Sequence, residues 1–163
     1  SVDWTPLQRN DDMNEIKRLV WHEVAPKGAQ ALFGVHHYII TGTNLPEEMI
    51  HLVFLRVSQI NGCAHCIDLH TRDLLKTMPL DKVVLLPVWA EVPHLFGPQY
   101  CAALAWAEEV TRVGETHASD DAYTAAATAF EPRDLVDLTI AIAAMNAFNR
   151  LGAPFRLPVK AKP

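Results

Sequence analysis

Cysteine is scarce in this chain, with three among 163 residues, at positions 63, 66 and 101. An odd, low count argues against the disulfide-stapled scaffold of a small secreted protein. No run of 18 or more apolar residues occurs, so no membrane partner or membrane-spanning helix is expected. There is no basic block and no aromatic-basic stripe, and the formal charge is -5; nucleic acid is therefore not an expected partner. Strict apolar–polar alternation is missing too, which leaves little room for β-strands. Ser1 to Asn10 lack the positive-then-apolar order of a signal peptide, and the expected compartment is cytoplasmic.

What is present is enough for one core. Half of the residues are apolar and a fifth are charged, as in an ordinary globular protein. The length fits a single domain over residues 1–163. The periodicity is helical almost throughout, so the expected class is all-α. Asp11 and Asp12 can cap a first helix from about Met13 to Val24, which Pro26 and Gly28 break. A second helix is expected from about Ala29 to Thr41. A third starts with Pro46 in its first turn and ends near Ile60; it is apolar on most sides and should be central and buried. Asn61-Gly62 is a break, and a fourth helix is expected from near Cys63 to Lys76. Pro87 and Pro93 mark an irregular stretch around Trp89. Further helices are expected over 98–112, over a short span capped by Ser119 or Asp120 up to Ala129, and from Pro132 to Leu151. An extended tail begins at about residue 152.

The informative segment is Gly62-Cys63-Ala64-His65-Cys66-Ile67-Asp68-Leu69-His70. On a helix of about 100° per residue, Cys66 lies about 60° from Cys63 and His70 about 20° from it. His70 is one turn after Cys66 and leans back toward it, because helical side chains tilt toward the N-terminus. A helix start and a nearby histidine both favour the thiolate. A thiolate attacks a peroxide bond and becomes a sulfenic acid, which a second thiol converts to a disulfide. Cys66 is the better nucleophile because His70 reaches it, and Cys63 is then the resolving thiol. Two other readings of the pair stand beside this one. Both cysteines can be small buried apolar residues. Two cysteines with two histidines also satisfy zinc, although no second ligand pair of matching spacing occurs. His65 reads equally as an exposed helical histidine, and Cys101, amid Ala102, Ala103 and Leu104, as a packing residue.

The stretch Leu52 to His70 resembles the core signature of the AhpD-like alkylhydroperoxidases, in the carboxymuconolactone decarboxylase superfamily. The segments Ala102 to Thr111 and Leu138 to Leu151 are similar to that family as well. The resemblance spans roughly residues 15–157, with its core motif at 46–77. It implies an AhpD-like all-helical fold that assembles into trimers or hexamers. It also implies peroxidase activity through a Cys-x-x-Cys disulfide cycle, with the second cysteine attacking and the histidine four residues on relaying a proton. Those residues are Cys66 and His70. His65 matches a position that is histidine in some members. The family's relay glutamate, twelve residues before the first cysteine, is His51 here. A histidine also moves protons near neutral pH, and Glu47 or Glu48, one turn earlier, can substitute. The resemblance names a peroxide as substrate and a lipoyl-type dithiol as electron donor, with no cofactor and no metal. Other functions consistent with the sequence are a disulfide reductase, a redox-responsive stress protein and, against the evidence of the cysteine pair, a lactone decarboxylase.

Overall fold

The computed structural model describes residues 16–163, and every regular element among them is helical. In order they are α1 (Trp21–Val24), α2 (Pro26–Gly42), α3 (Glu47–Asn61), α4 (Ala64–Leu74), α5 (Leu80–Val83), α6 (Pro98–Thr111), α7 (Val113–Thr116), α8 (Asp120–Ala129) and α9 (Pro132–Gly152). Two short 3-10 helices, Leu86–Glu91 and Pro93–Leu95, fill the irregular stretch around Trp89.

Over the described residues the first expected helix is largely absent. Residues 16–20 are not helical, and only the single turn α1 forms. Isolated short helices are marginal, and this segment lies beside the C-terminal tail, where Arg18 donates to the Pro154 carbonyl at 2.6 Å. The proposed caps Asp11 and Asp12 fall outside the described residues. The break itself falls at Ala25, whose backbone is non-helical. Pro26 opens α2 instead of interrupting it, since the first turn needs no proline N–H. Gly28 therefore lies inside α2. The fourth helix is also shorter than expected, giving way after Leu74 to a turn before α5.

Helix α3 is the centre of the molecule, packed against α4, α6 and α9. Its residues Met49, Ile50, Val53, Phe54 and Val57 join Leu138, Ile142 and Met145 of α9 in the main core. Its other side supplies Leu52 and Leu55 to a second cluster with Leu74, Leu86 and Leu104. Each such side chain contributes about 1.5–3 kcal/mol on full burial, so α3 is pinned on all sides.

Polar contacts fix where α3 stops. Asn149 of α9 donates to Ser58 at 3.0 Å, and Asn61 donates to Asn146 and Asn149 at 2.9 and 3.0 Å. Gly62 then adopts the left-handed conformation, φ 69°, that ends the helix, and only glycine does this without steric cost. The Cys63 N–H returns to the Ser58 carbonyl at 3.1 Å. The chain thus reverses sharply and starts α4 at a fixed place.

Candidate functional site

Cys63 precedes α4 rather than lying on it. It is the N-cap residue, in extended conformation, and its Sγ accepts a hydrogen bond from the Cys66 N–H at 3.4 Å. The shared helix face expected for Cys63, Cys66 and His70 therefore holds only for the last two. The N-cap position still brings the pair together: the cysteine Cα atoms are 5.3 Å apart and the two sulfurs are joined in a disulfide, a separation within the usual disulfide range. Both are buried, at 0% and 5% exposure. The α4 N-terminus provides the positive end of a helix dipole at this pair.

The Cys66 side opens on a cavity of about 390 Å³. Its lining includes His65, Cys66 and His70 of α4, Trp21 and Phe33 of the N-terminal helices, His36 of α2, Phe148 of α9 and Leu157 of the tail. The walls are mainly apolar, so the site can exclude water around a small organic molecule.

His70 is 4% exposed. Burial pushes its pKa down to about 3, the nearby His51 adds to the shift, and Asp73 opposes it. His70 is thus neutral at physiological pH. It can take a proton from a thiol but offers no standing positive charge.

His51 does not line the cavity. It stands behind His70, ring centroids 6.0 Å apart, with Phe54 against both rings. Its Nε2 lies 3.5 Å from a Glu47 carboxylate oxygen. Glu48 instead accepts from the Tyr100 hydroxyl at 3.2 Å. Of the two glutamates, only Glu47 reaches His51. The Nδ1 atoms of His51 and His70 each face Oδ2 of Asp73 at 3.8 Å, too far for a direct hydrogen bond.

His65 sits on the rim, with Nδ1 2.6 Å from the Pro158 carbonyl. A carbonyl only accepts, so Nδ1 carries the proton. Beside it, the Lys160 N–H donates to Asp68 at 2.6 Å. Together they strap the tail across the first turns of α4. Cys101 lies apart, packed with the second cluster, and burial raises its thiol pKa.

Four participants escaped the sequence reading. His36 reaches the cavity from α2, and burial lowers its pKa, with His51 adding to the shift. Asp73 lies one turn beyond His70. Gly152 and Leu157 arrive from the far end of the chain. Spacing within α4 could have exposed Asp73; nothing local announces the others.

The carboxymuconolactone decarboxylase family model matches residues 26–109. The uncharacterized protein YdfG of Bacillus subtilis (strain 168) is 29% identical over 136 residues, covering 83% of this chain and 91% of YdfG. A crystal structure from Agrobacterium tumefaciens, of a protein of unknown function described as a candidate antioxidant defence protein AhpD, superposes with a TM-score of 0.84. It is 32% identical and covers 90% of this chain and 99% of its own. An uncharacterized peroxidase-related protein from Silicibacter sp. TM1040 shares the fold, with a TM-score of 0.75 at 18% identity, over 86% of this chain and 74% of its own. The single all-helical domain is thus AhpD-like, and the chain belongs to the carboxymuconolactone decarboxylase family.

Proposed function

We propose that this protein is a thiol peroxidase that reduces hydroperoxides through a Cys63–Cys66 disulfide cycle. The observation that carries the reading is the bridge itself: it lies at the start of α4, and Cys66 shares an apolar cavity with a neutral, buried His70.

In the reduced protein the neutral His70 accepts the Cys66 proton only in passing, as the peroxide is attacked, so no imidazolium accumulates. The Cys66 thiolate attacks one oxygen of the peroxide and the O–O bond breaks. The departing alkoxide or hydroxide leaves as alcohol or water with the proton from His70, and Cys66 becomes a sulfenic acid. Cys63 then attacks the Cys66 sulfur. The S–O bond breaks, water leaves with the Cys63 proton, and the disulfide forms. An external dithiol, oxidised in turn to its own disulfide, restores both thiols. Because the bridge is nearly inaccessible, a slender extended dithiol of the lipoyl type suits it better than a folded protein surface.

The helix dipole stabilises the thiolate, and His51, oriented by Glu47, supports His70 from behind. His65 secures the tail at the cavity rim. Self-association is part of the proposal as well. The faces of α3 are consumed by the core, but α8 and α9 leave Tyr123 and Val136 exposed beside a groove lined by Trp106, Phe130 and Leu135. No described helix is long and apolar enough to cross a membrane, and a cytoplasmic location fits a cycle that needs a reducing supply.

Stopped-flow titration of reduced protein with hydrogen peroxide and an organic hydroperoxide, counting thiols before and after, tests the reading. Loss of two thiols per peroxide consumed supports it. Disulfide exchange with a dithiol, without peroxide consumption, identifies a disulfide reductase instead.

A further inference from the structure

We propose that His51, His70 and Asp73 form a binding site for one divalent transition-metal ion. One donor atom from each residue falls within 4.8 Å of the others. Two pairs, His51 Nδ1 and His70 Nδ1 with Asp73 Oδ2, stand at 3.8 Å. Zinc takes imidazole nitrogen and carboxylate oxygen at about 2.0–2.2 Å, which places two donors of a tetrahedral ion about 3.4 Å apart. The two pairs at 3.8 Å are close to that spacing and the third lies within 4.8 Å, so the donors must close inward to share one ion.

Two features separate this cluster from an ordinary group of surface charges. Both Nδ1 atoms are buried and have no hydrogen-bond partner, and buried polar atoms in that condition are rare. The supporting groups are also placed as around a metal. Glu47 lies 3.5 Å from Nε2 of His51, so the nitrogen away from the site faces a carboxylate, an arrangement that orients ligating histidines. Lys76 Nζ holds the other carboxylate oxygen of Asp73 at 2.9 Å, which leaves Oδ2 turned toward the rings.

Two imidazoles and one carboxylate favour zinc and its first-row neighbours over magnesium or calcium, which prefer oxygen. Three protein donors leave at least one position on the ion open. His51 is essential to this set, so the residue that departs from the family's glutamate supplies the second imidazole.

Calorimetric titration of the oxidised protein with Zn2+ tests the site, because the disulfide prevents Cys63 and Cys66 from competing as ligands. One ion per chain is expected. His51→Ala, His70→Ala and Asp73→Asn should each weaken binding by at least about 10–100-fold, the range seen when even outer-shell partners are lost. His94→Ala, at an exposed histidine elsewhere, should leave it unchanged. Co2+ should give d–d absorption without a thiolate charge-transfer band. Circular dichroism checks that each variant folds; should His70→Ala not fold, Asp73→Asn, altered at a partly exposed carboxylate, decides alone. Absence of saturable uptake by the parent protein, or uptake unaffected by both His51→Ala and Asp73→Asn, overturns the proposal.

Discussion

Gly152 stands directly against Cys63: a β-carbon at Gly152 would lie 2.7 Å from the Cys63 sulfur and 3.2 Å from that of Cys66. The close of α9 is therefore fitted to the cysteine pair with no space for a methyl group. Gly152→Ala should destabilise the oxidised protein by about 1–3 kcal/mol, the usual cost of overpacking. Chemical denaturation of parent and variant, each oxidised, measures it. Equal stability would mean that the end of α9 yields freely.

The two cysteines should behave differently under peroxide. Cys66→Ser should abolish consumption. Cys63→Ser should still undergo one fast oxidation, trapped as a sulfenic acid on Cys66, without turnover. Single-turnover kinetics with a sulfenic-acid probe separate them, and the reverse pattern would exchange their roles.

His70→Ala should slow the first oxidation by about 10²–10⁴-fold, the usual contribution of a general base. The loss should shrink at high pH, where the thiol ionises unaided. A first-step rate measured from pH 5 to 9 that is indifferent to the substitution would remove His70 from the chemistry.

Acid should unfold the protein partly through the same histidine. His70 has a pKa near 6.5 in the unfolded chain and about 3 in the fold, chiefly because of burial. Above pH 6.5 both states leave it neutral and it costs nothing. As pH falls from 6.5 toward 3, the unfolded state gains a proton that the fold refuses. Stability should drop by up to about 1.4 kcal/mol per pH unit from this group. His70→Gln, which removes the titration, should flatten the melting-temperature profile over pH 6 to 4. An unchanged slope would show that other groups set it.

His51→Ala should lower the rate of peroxide consumption, whereas His51→Glu, which installs the glutamate that the family resemblance implies, should keep or raise it. Parent-like rates in both variants would confine His51 to other work.

The helical class and the central place of α3 were legible because apolar residues recur on most of that helix's faces, and Phe54 and Leu52 do enter different clusters. The proximity of Cys63 and Cys66 was legible because their separation is local. The N-cap position of Cys63 was less so, since it depends on how Gly62 turns after α3 is tied to Asn149. His36 and Leu157 lay beyond reach: nothing in their neighbours' periodicity states which helix they will face. The stretch 16–20 misled because its helical pattern competes with contacts to a tail more than a hundred positions away.

The strap across α4 has a bearing on how the protein is made. Pro158 lies 93 positions after the His65 that it meets. At about 5–20 residues per second, the ribosome needs roughly 5–20 s to travel from one to the other. During that interval the cysteine pair emerges from the tunnel, while Met145, Phe148, Leu157 and Pro158, which complete its cavity, have yet to be translated. The nascent thiols are then open to any oxidant or partner thiol nearby, and the selectivity conferred by the finished cavity begins only when the strap docks.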